Sequence, residues 1–254
     1  IGGAMTVSGT PTIAVSPSVS MVVSQSVNGG FSDGLIKDGA GRLVFREPAL
    51  YLGLTRVKDG VLELENSGAL SSGTIQIDAG AQIVATNTLF TVEFGTAQTL
   101  KGSGTFVGGL IMDSGSTLSP GLSPGSLTMV GDLTLESAAI LEVELNGTNP
   151  GTQYDQLQFA GGAWSLTLNN PVLSVVLGYS PIYGDTFQIV NGFSTLTGAF
   201  DGLPTSGSTF MVGSTLFQID YNASDITLTV VPEPGTLGLM GVVLVAVVLR
   251  RRIR

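Results

Sequence analysis

The chain has 254 residues, contains neither cysteine nor histidine, and carries a formal net charge of -9 at pH 7. This composition excludes disulfides, metal ligation through Cys or His, and acid–base catalysis by histidine. No Lys or Arg lies between residues 102 and 249, so this stretch lacks the basic surface that nucleic-acid binding requires. The length is sufficient for a large core held by burial and backbone pairing alone.

The first 33 residues are rich in Ser, Val, Thr and Gly and contain Pro11 and Pro17. Residues 1–33 are expected to be either an incomplete first strand region of a repeat or a flexible leader, and both alternatives stay open. The chain begins at Ile1 without a basic and then apolar signal peptide. We therefore expect that a secretion signal has been removed or that the sequence is a fragment.

From residue 34 onwards, short apolar and β-branched runs alternate with Gly, Ser, Asn, Asp and Pro, which predicts an all-β protein. Strict alternation over 140–145 and 226–230 predicts strands with one buried and one exposed face. Examples of the predicted strands, which recur every eight to fourteen residues, are 43–45, 61–64, 74–77, 91–94, 127–130, 140–145, 164–168, 173–177, 186–190, 216–219 and 226–231.

Two modules are predicted within this β region. Residues 34–150 have Gly-bounded strands of the kind that stack as a parallel β-solenoid. Residues 151–231 have longer strands and most of the aromatic side chains, which favours a more antiparallel β cap over the open end. The residues predicted to contribute to the solenoid interior are Val61, Leu62, Leu64, Ile75, Ile77, Ile83, Phe106, Leu118 and Leu127.

A proline-containing turn is the expected weak point of the solenoid. The segment 119–125 reads Ser-Pro-Gly-Leu-Ser-Pro-Gly and contains Pro120 and Pro124. Because proline has no backbone N–H, this turn should interrupt the ladder of hydrogen bonds between neighbouring strands.

The last segment, 232–254, combines three features in order. Pro232, Glu233 and Pro234 precede an uncharged apolar run, which ends at a basic cluster made of Arg250, Arg251, Arg252 and Arg254. As a helix, residues 235–249 would span roughly 22 Å, against about 30 Å for a bilayer core. The run therefore predicts a short C-terminal membrane helix, and the arginines place its end on the cytoplasmic side.

This tail resembles the PEP-CTERM sorting signal of bacterial exported proteins. The resemblance implies export, transient anchoring in the inner membrane, and processing by an exosortase-type enzyme at Pro232, Glu233 and Pro234. The final location would be the cell surface or the extracellular matrix. A permanent membrane anchor is the alternative.

The body is similar to a family as well. It resembles the autotransporter-associated β-strand repeat, on the residues 39–45, 51–57, 59–77, 118–127, 154–157, 184–190 and 198–200. The resemblance implies a passenger-like β-solenoid in a surface or matrix protein and no particular chemistry, since members of one fold differ in use.

Candidate catalytic groups are few. Glu142 and Glu144 lie two residues apart on one predicted strand face, at a spacing of roughly 6.5 to 7 Å that paired carboxylates in glycan cleavage can have. The alternative is the solvent-exposed face of a strand. Asp155 is typical of a turn or of the start of a strand, with a catalytic base as the alternative. No serine has a histidine or a Ser-x-x-Lys motif to activate it.

Three functions follow from these observations. The expected one is a structural or adhesive component of the envelope or matrix without catalysis or cofactor, with exopolysaccharide or envelope components as partners and no nucleic acid. The second is a carbohydrate-binding module, for which Trp164, Tyr179 and Tyr183 would form the aromatic platform. The third is a β-helix polysaccharide lyase or hydrolase, which would need acidic residues and a basic group in one cleft.

A calcium ion bound at solenoid corners is a further option for any of these functions. The basic candidates in the first coils are Lys37, Arg42, Arg46, Arg56 and Lys58.

Overall fold

The computed structural model describes residues 5–87, 92–95 and 97–233, and the predicted C-terminal helix lies outside these ranges. Within them the chain forms β-strands joined by turns and no helix. The strands are β1 Met5–Thr6, β2 Thr12–Ala14, β3 Ser20–Val23, β4 Val27–Asn28, β5 Leu35–Asp38, β6 Arg42–Phe45, β7 Leu54–Val57, β8 Val61–Glu65, β9 Thr74–Ile77, β10 Gln82–Asn87, β11 Val92–Phe94, β12 Thr99–Gly102, β13 Thr105–Val107, β14 Leu110–Met112, β15 Thr117–Pro120, β16 Ser126–Val130, β17 Leu133–Leu135, β18 Ile140–Leu145, β19 Gln156–Phe159, β20 Ser165–Asn169, β21 Val172–Leu177, β22 Thr186–Asn191, β23 Thr195–Ala199, β24 Ser208–Val212, β25 Thr215–Tyr221 and β26 Asp225–Val230.

Successive coils of the chain stack into a parallel β-solenoid with three sides. The first sheet has the order β2-β5-β7-β9-β12-β15-β18-β21, and the second begins β3-β6-β8-β10-β13-β16-β19-β22. The third side carries the two-stranded sheet β1-β4, the isolated bridges from Val27 to Ala49 and from Ala49 to Leu70, and the separate sheet β11-β14-β17-β20-β23. Each strand pairs in parallel with the equivalent strands of the neighbouring coils, so the predicted β-solenoid is confirmed.

The C-terminal part of the described chain reverses the pairing direction. Strands β24, β25 and β26 form an antiparallel meander, and β26 joins the second sheet by antiparallel pairing with β22. Parallel stacking continues through β19 to β23, so the change of direction falls after residue 199 instead of near residue 151. At the other end, β1, β2 and β3 already pair in parallel with β4, β5 and β6.

The core is built from columns of side chains that repeat from coil to coil. One column in the second sheet aligns the buried residues Leu62, Ile83, Phe106, Met129 and Phe159. Each Å² of apolar surface that such a column buries stabilises the fold by about 25 cal/mol. A shift of register would break the columns and lose this burial, so the register is strongly favoured.

Most of the predicted interior is confirmed, since Leu62, Leu64, Ile75, Ile77, Ile83, Phe106, Leu118 and Leu127 are all buried. The predicted interior position of Val61 is wrong. Val61 lies on the outward face of β8 together with Glu63 and Glu65, because side chains alternate along a strand. The run of two apolar residues at the start of β8 does not reveal which of them points inward.

The turn at 119–125 interrupts the ladder as predicted. Strands β15 and β18 pair only through Thr117 with Ile140 and Leu118 with Leu141. Beyond this point β18 continues to pair with β21 on its other side. The turn therefore leaves backbone groups of β18 without a strand partner.

Candidate functional site

The basic side chains of the first coils are used to join neighbouring coils. Four pairs connect cations to carboxylates of the adjacent coil: Arg42 to Glu63, Arg46 to Glu65 at 2.8 Å, Arg56 to Asp78 at 2.6 Å, and Lys58 to Asp38 at 3.1 Å. Such partly exposed pairs each contribute about 0 to 1 kcal/mol. Each cation has its own carboxylate partner, so these residues do not form one basic cleft for an anionic substrate.

Lys37 is fully buried inside the solenoid. Its ammonium donates hydrogen bonds to the backbone carbonyls of Gly39 at 2.6 Å, Asp59 at 2.8 Å and Asp38 at 3.1 Å. Burial lowers the pKa of Lys37, and the carboxylates of Asp59 and Asp38 oppose that shift. The side chain ties the corners of two coils together and is not available to a ligand.

A polar groove of about 320 Å³, named simply the groove, lies on the outer face of the first sheet. Its walls include Lys101 on β12, Ser119 on β15, Leu122 and Ser123 in the turn, and Glu142 and Glu144 on β18. Lys101 and Ser119 are directly paired across β12 and β15.

The structure thus brings both candidate glutamates together with the last lysine of the body. The hydroxyl of Ser123 donates to Glu144 Oε2 at 2.8 Å. Lys101 makes no ion pair within the described residues. Carboxylates and an ammonium in one groove can bind hydroxyl and amine groups of a polar ligand.

Asp155 lies directly beneath this groove, is 2% exposed, and is not placed to act on a ligand. Its Oδ1 accepts a hydrogen bond from the backbone N–H of Gly125 at 2.8 Å, and its Oδ2 accepts one from the N–H of Glu144 at 2.9 Å. Burial raises the pKa of Asp155 to about 6, the two backbone hydrogen bonds oppose this shift, and the negative charges of Glu144 and Glu142 add to it. The expectation of a turn or strand-start residue fits this position.

The three aromatic residues considered for carbohydrate binding do not share one surface. Trp164 precedes β20, and its Nε1–H donates to the carbonyl of Ala160 at 2.7 Å. Tyr179 follows β21 at a different corner, where its ring meets that of Phe187 edge-on at 6.3 Å. Tyr183 lies in the same corner as Tyr179 and is exposed. These positions argue against a common aromatic platform.

The beginning of the tail is anchored in the antiparallel meander. Val230 pairs with Phe217 on β25, and the N–H of Val231 donates to the carbonyl of Leu216 at 3.0 Å. Val230 also exchanges hydrogen bonds with the turn that precedes β22, accepting from Gly184 at 3.1 Å and donating to Asp185 at 2.9 Å. Pro232 is half-buried and Glu233 is exposed. Regular pairing therefore ends where the predicted sorting motif begins.

Pro234 and the cluster of Arg250, Arg251, Arg252 and Arg254 lie outside the described residues. Within 5–87, 92–95 and 97–233, no helical segment has the length and apolarity that a membrane span requires. The same ranges contain no group of three or more Asp or Glu side chains arranged to hold a metal ion.

Sequence reasoning missed two arrangements here. The burial of Lys37 has no local signal, because one of its partners, Asp59, lies 22 residues away in the next coil. The placement of Lys101 and Glu142 in one groove depends on the stacking register of three coils. A coil-by-coil alignment of β12, β15 and β18 would have revealed the second arrangement.

Comparison with known proteins finds a similar solved structure and a matching family model. Among solved structures, the chain is similar to the Hap adhesin of Haemophilus influenzae, with 14% sequence identity and a TM-score of 0.35. This match covers 83% of the chain and 24% of the adhesin chain, so the protein spans less than two thirds of that adhesin. No curated protein matches the chain. Residues 230–252 match the family model described as the PEP-CTERM protein-sorting motif, which confirms the predicted motif and implies an exported protein that passes through a membrane.

Proposed function

We propose that the protein is a non-catalytic structural or adhesive component of the bacterial cell surface or extracellular matrix. Its body would act as a stiff acidic rod, with exopolysaccharide or other envelope components as partners. The observation that carries this proposal is the direct continuation of the stacked solenoid and its meander into the sorting motif at Val230. A rod held at one end by its delivery signal suits a mechanical role.

The charged residues support a role without catalysis. In the first coils the arginines and lysines connect neighbouring coils through ion pairs and hydrogen bonds to backbone carbonyls. Asp155, the buried carboxyl with a raised pKa, is engaged by two backbone N–H groups and has no access to a substrate. A lyase or hydrolase needs a proton donor or acceptor exposed in a cleft. Asp155 does not meet this requirement, whereas Glu142 and Glu144 in the groove do, so catalysis there requires a separate test.

The sorting motif supplies the delivery step of the proposal. An exosortase-type enzyme would process the tail at Pro232, Glu233 and Pro234, after the basic cluster of Arg250, Arg251, Arg252 and Arg254 has held the chain in the inner membrane. The mature body would then leave the membrane for the cell surface or the matrix.

The test is a gene deletion in the native host, complemented either by the full chain or by a chain that ends at residue 231. Deletion should reduce cell aggregation or biofilm cohesion, and only the full chain should restore it. Normal cohesion in the deletion strain would contradict the proposal. Equal rescue by both chains would show that the role does not depend on the sorting motif.

Carbohydrate binding at the groove is the second candidate function. It is favoured because Lys101, Glu142 and Glu144 line the same cavity, whose volume is about 320 Å³. Binding of the purified protein to a panel of polysaccharides would test it. Glu142→Gln with Glu144→Gln should abolish such binding, whereas Arg46→Gln on the second sheet should not. Release of shorter glycans that the same double variant abolishes would instead indicate a hydrolase or lyase.

A further inference from the structure

An apolar turn projects from the solenoid corner between β21 and β22. Ile182 and Tyr183 at its tip are 70% and 73% exposed, although both side chains are large and mainly apolar. Their exposure leaves apolar surface in water at a site where most neighbouring aromatic side chains pack inward.

This turn is held in one conformation. The N–H of Asp185 donates to the carbonyl of Ile182 at 3.0 Å, and Asp185 Oδ2 accepts from the N–H of Ile182 at 2.9 Å. The same carboxylate accepts from the hydroxyl of Tyr179 at 3.1 Å. Gly184 has a φ of +90°, which suits the third position of a type II turn. The two apolar side chains are therefore presented by a fixed turn and not by a flexible loop.

The turn lies beside the point where the tail leaves the body. Gly184 and Asp185 hydrogen-bond to Val230 at 3.1 and 2.9 Å, as described above. The uncharged apolar run of the tail starts near Leu237. The six residues after Val231 reach at most roughly 20 Å when extended, so an inserted tail keeps the turn within that distance of the bilayer.

We propose that Ile182 and Tyr183 insert into the lipid interface while the tail is in the membrane, so that the precursor contacts the bilayer at two places. This inference rests on membrane insertion of the tail. Tyrosine suits the interface because its ring is apolar and its hydroxyl can stay hydrated. The turn has no Lys or Arg, so the contact depends on apolar insertion and not on anionic lipid. The second contact would fix the orientation of the rod before processing.

The absence of cysteine permits a direct test with single-cysteine labelling of the full chain. A fluorophore is attached at Ser180→Cys, next to the turn, and the protein is reconstituted in phosphatidylcholine vesicles that contain a lipid-borne quencher. A label at Phe31→Cys, an 87% exposed position between β4 and β5, is the distant control. A label at Leu244→Cys reports insertion of the tail itself.

We expect several-fold stronger lipid quenching at position 180 than at position 31. The double substitution Ile182→Ser and Tyr183→Ser should remove this excess, because it removes the two apolar side chains. The backbone hydrogen bonds of the turn stay in place, so its conformation is retained. Addition of phosphatidylglycerol should not increase the quenching.

Equal quenching at positions 180 and 31, with strong quenching at 244, would overturn the inference and leave the inserted tail intact. Protection of position 180 from aqueous iodide without lipid quenching would indicate contact between copies of the chain and would also overturn it. Absence of quenching at 244 would refute tail insertion, and the inference with it.

Discussion

Asp155 Oδ2 lies 2.9 Å from the backbone nitrogen of Glu144 and accepts its hydrogen bond, and the N–H of Asp155 donates in return to the carbonyl of Glu144 at 2.9 Å. The proline-containing turn ends the pairing of β15 with β18 after Leu118, so Glu144 has no partner on that strand. The carboxylate of Asp155 takes over this position and also accepts from Gly125 in the turn. A buried acidic side chain thus repairs a gap in the ladder.

Asp155 should make stability depend on pH in a mildly acidic window. Its pKa is about 6 in the folded protein, against about 3.9 in an unfolded chain, so the folded state binds the additional proton between these values. The free energy of unfolding should fall by on the order of 2 to 3 kcal/mol as pH rises from about 4 to about 6. Urea unfolding at a series of pH values measures this dependence.

The matched variant for this test is Asp155→Asn, which cannot titrate. It should lose the part of the pH dependence that lies between the two pKa values. It should also be less stable at pH 4, because the asparagine oxygen can accept from only one of the two backbone N–H groups, and the asparagine NH₂ group, itself a donor, faces the other. Identical pH profiles for the two proteins would refute the assignment.

Lys37 should be required for stability although it binds no ligand. In Lys37→Met the apolar stem is retained, but the carbonyls of Gly39 and Asp59, in partly buried contacts, lose the donor that bridges them. An unsatisfied buried polar group costs about 1 to 3 kcal/mol, which thermal or urea unfolding can measure. The matched control is Lys101→Met in the groove, for which a change within about 0.5 kcal/mol is expected. Equal stability of the two variants would contradict the structural role of Lys37.

Two glycines with similar backbone angles should respond differently to substitution. Gly198 and Gly202 have φ angles of +81° and +71°. A Cβ on Gly198 would collide with the carbonyl oxygen of Leu168 in the neighbouring coil, whereas a Cβ on Gly202 has no atom within 4 Å.

Gly202→Ala should therefore cost only the strain of a left-handed residue, about 1 to 2 kcal/mol. Gly198→Ala should cost a further 1 to 3 kcal/mol or so, because β20 and β23 must separate. Differential scanning calorimetry of both variants tests this difference. Equal losses would mean that the two coils can move apart without cost.

The strand pattern could be predicted from the sequence because solenoid strands are short and bounded by turn residues. Ile140–Leu145 shows this best, since its alternation of apolar and acidic residues matches its alternating burial. Contacts between coils could not be predicted in this way. The pairs Arg56 with Asp78 and Lys37 with Asp59 join residues 22 positions apart, and their meeting depends on the length of each turn in between. The position of the antiparallel meander also depends on such long-range pairing, because β26 returns to β22 across the whole of β23 to β25.

Processing of the tail should remove the apolar run and the arginines, and the structure limits where it can occur. The N–H of Val231 is still bonded to Leu216, so the backbone up to this residue belongs to the meander and is not free to enter an enzyme. Glu233 is the first exposed residue after it. The mature C-terminus should therefore lie beyond Val231, at or near Pro232, Glu233 and Pro234.

Mass spectrometry of the surface-associated protein from the native host measures the position of this terminus. Replacement of Glu233 by Gln, together with Pro232→Ala and Pro234→Ala, should block processing and leave the chain in the membrane fraction. Arg42→Gln at the start of β6 is the control and should be processed normally, because it lies far along the chain from the meander. Recovery of surface protein that still ends at Arg254 would favour a permanent anchor, and a terminus before Val231 would require β26 to leave the sheet first.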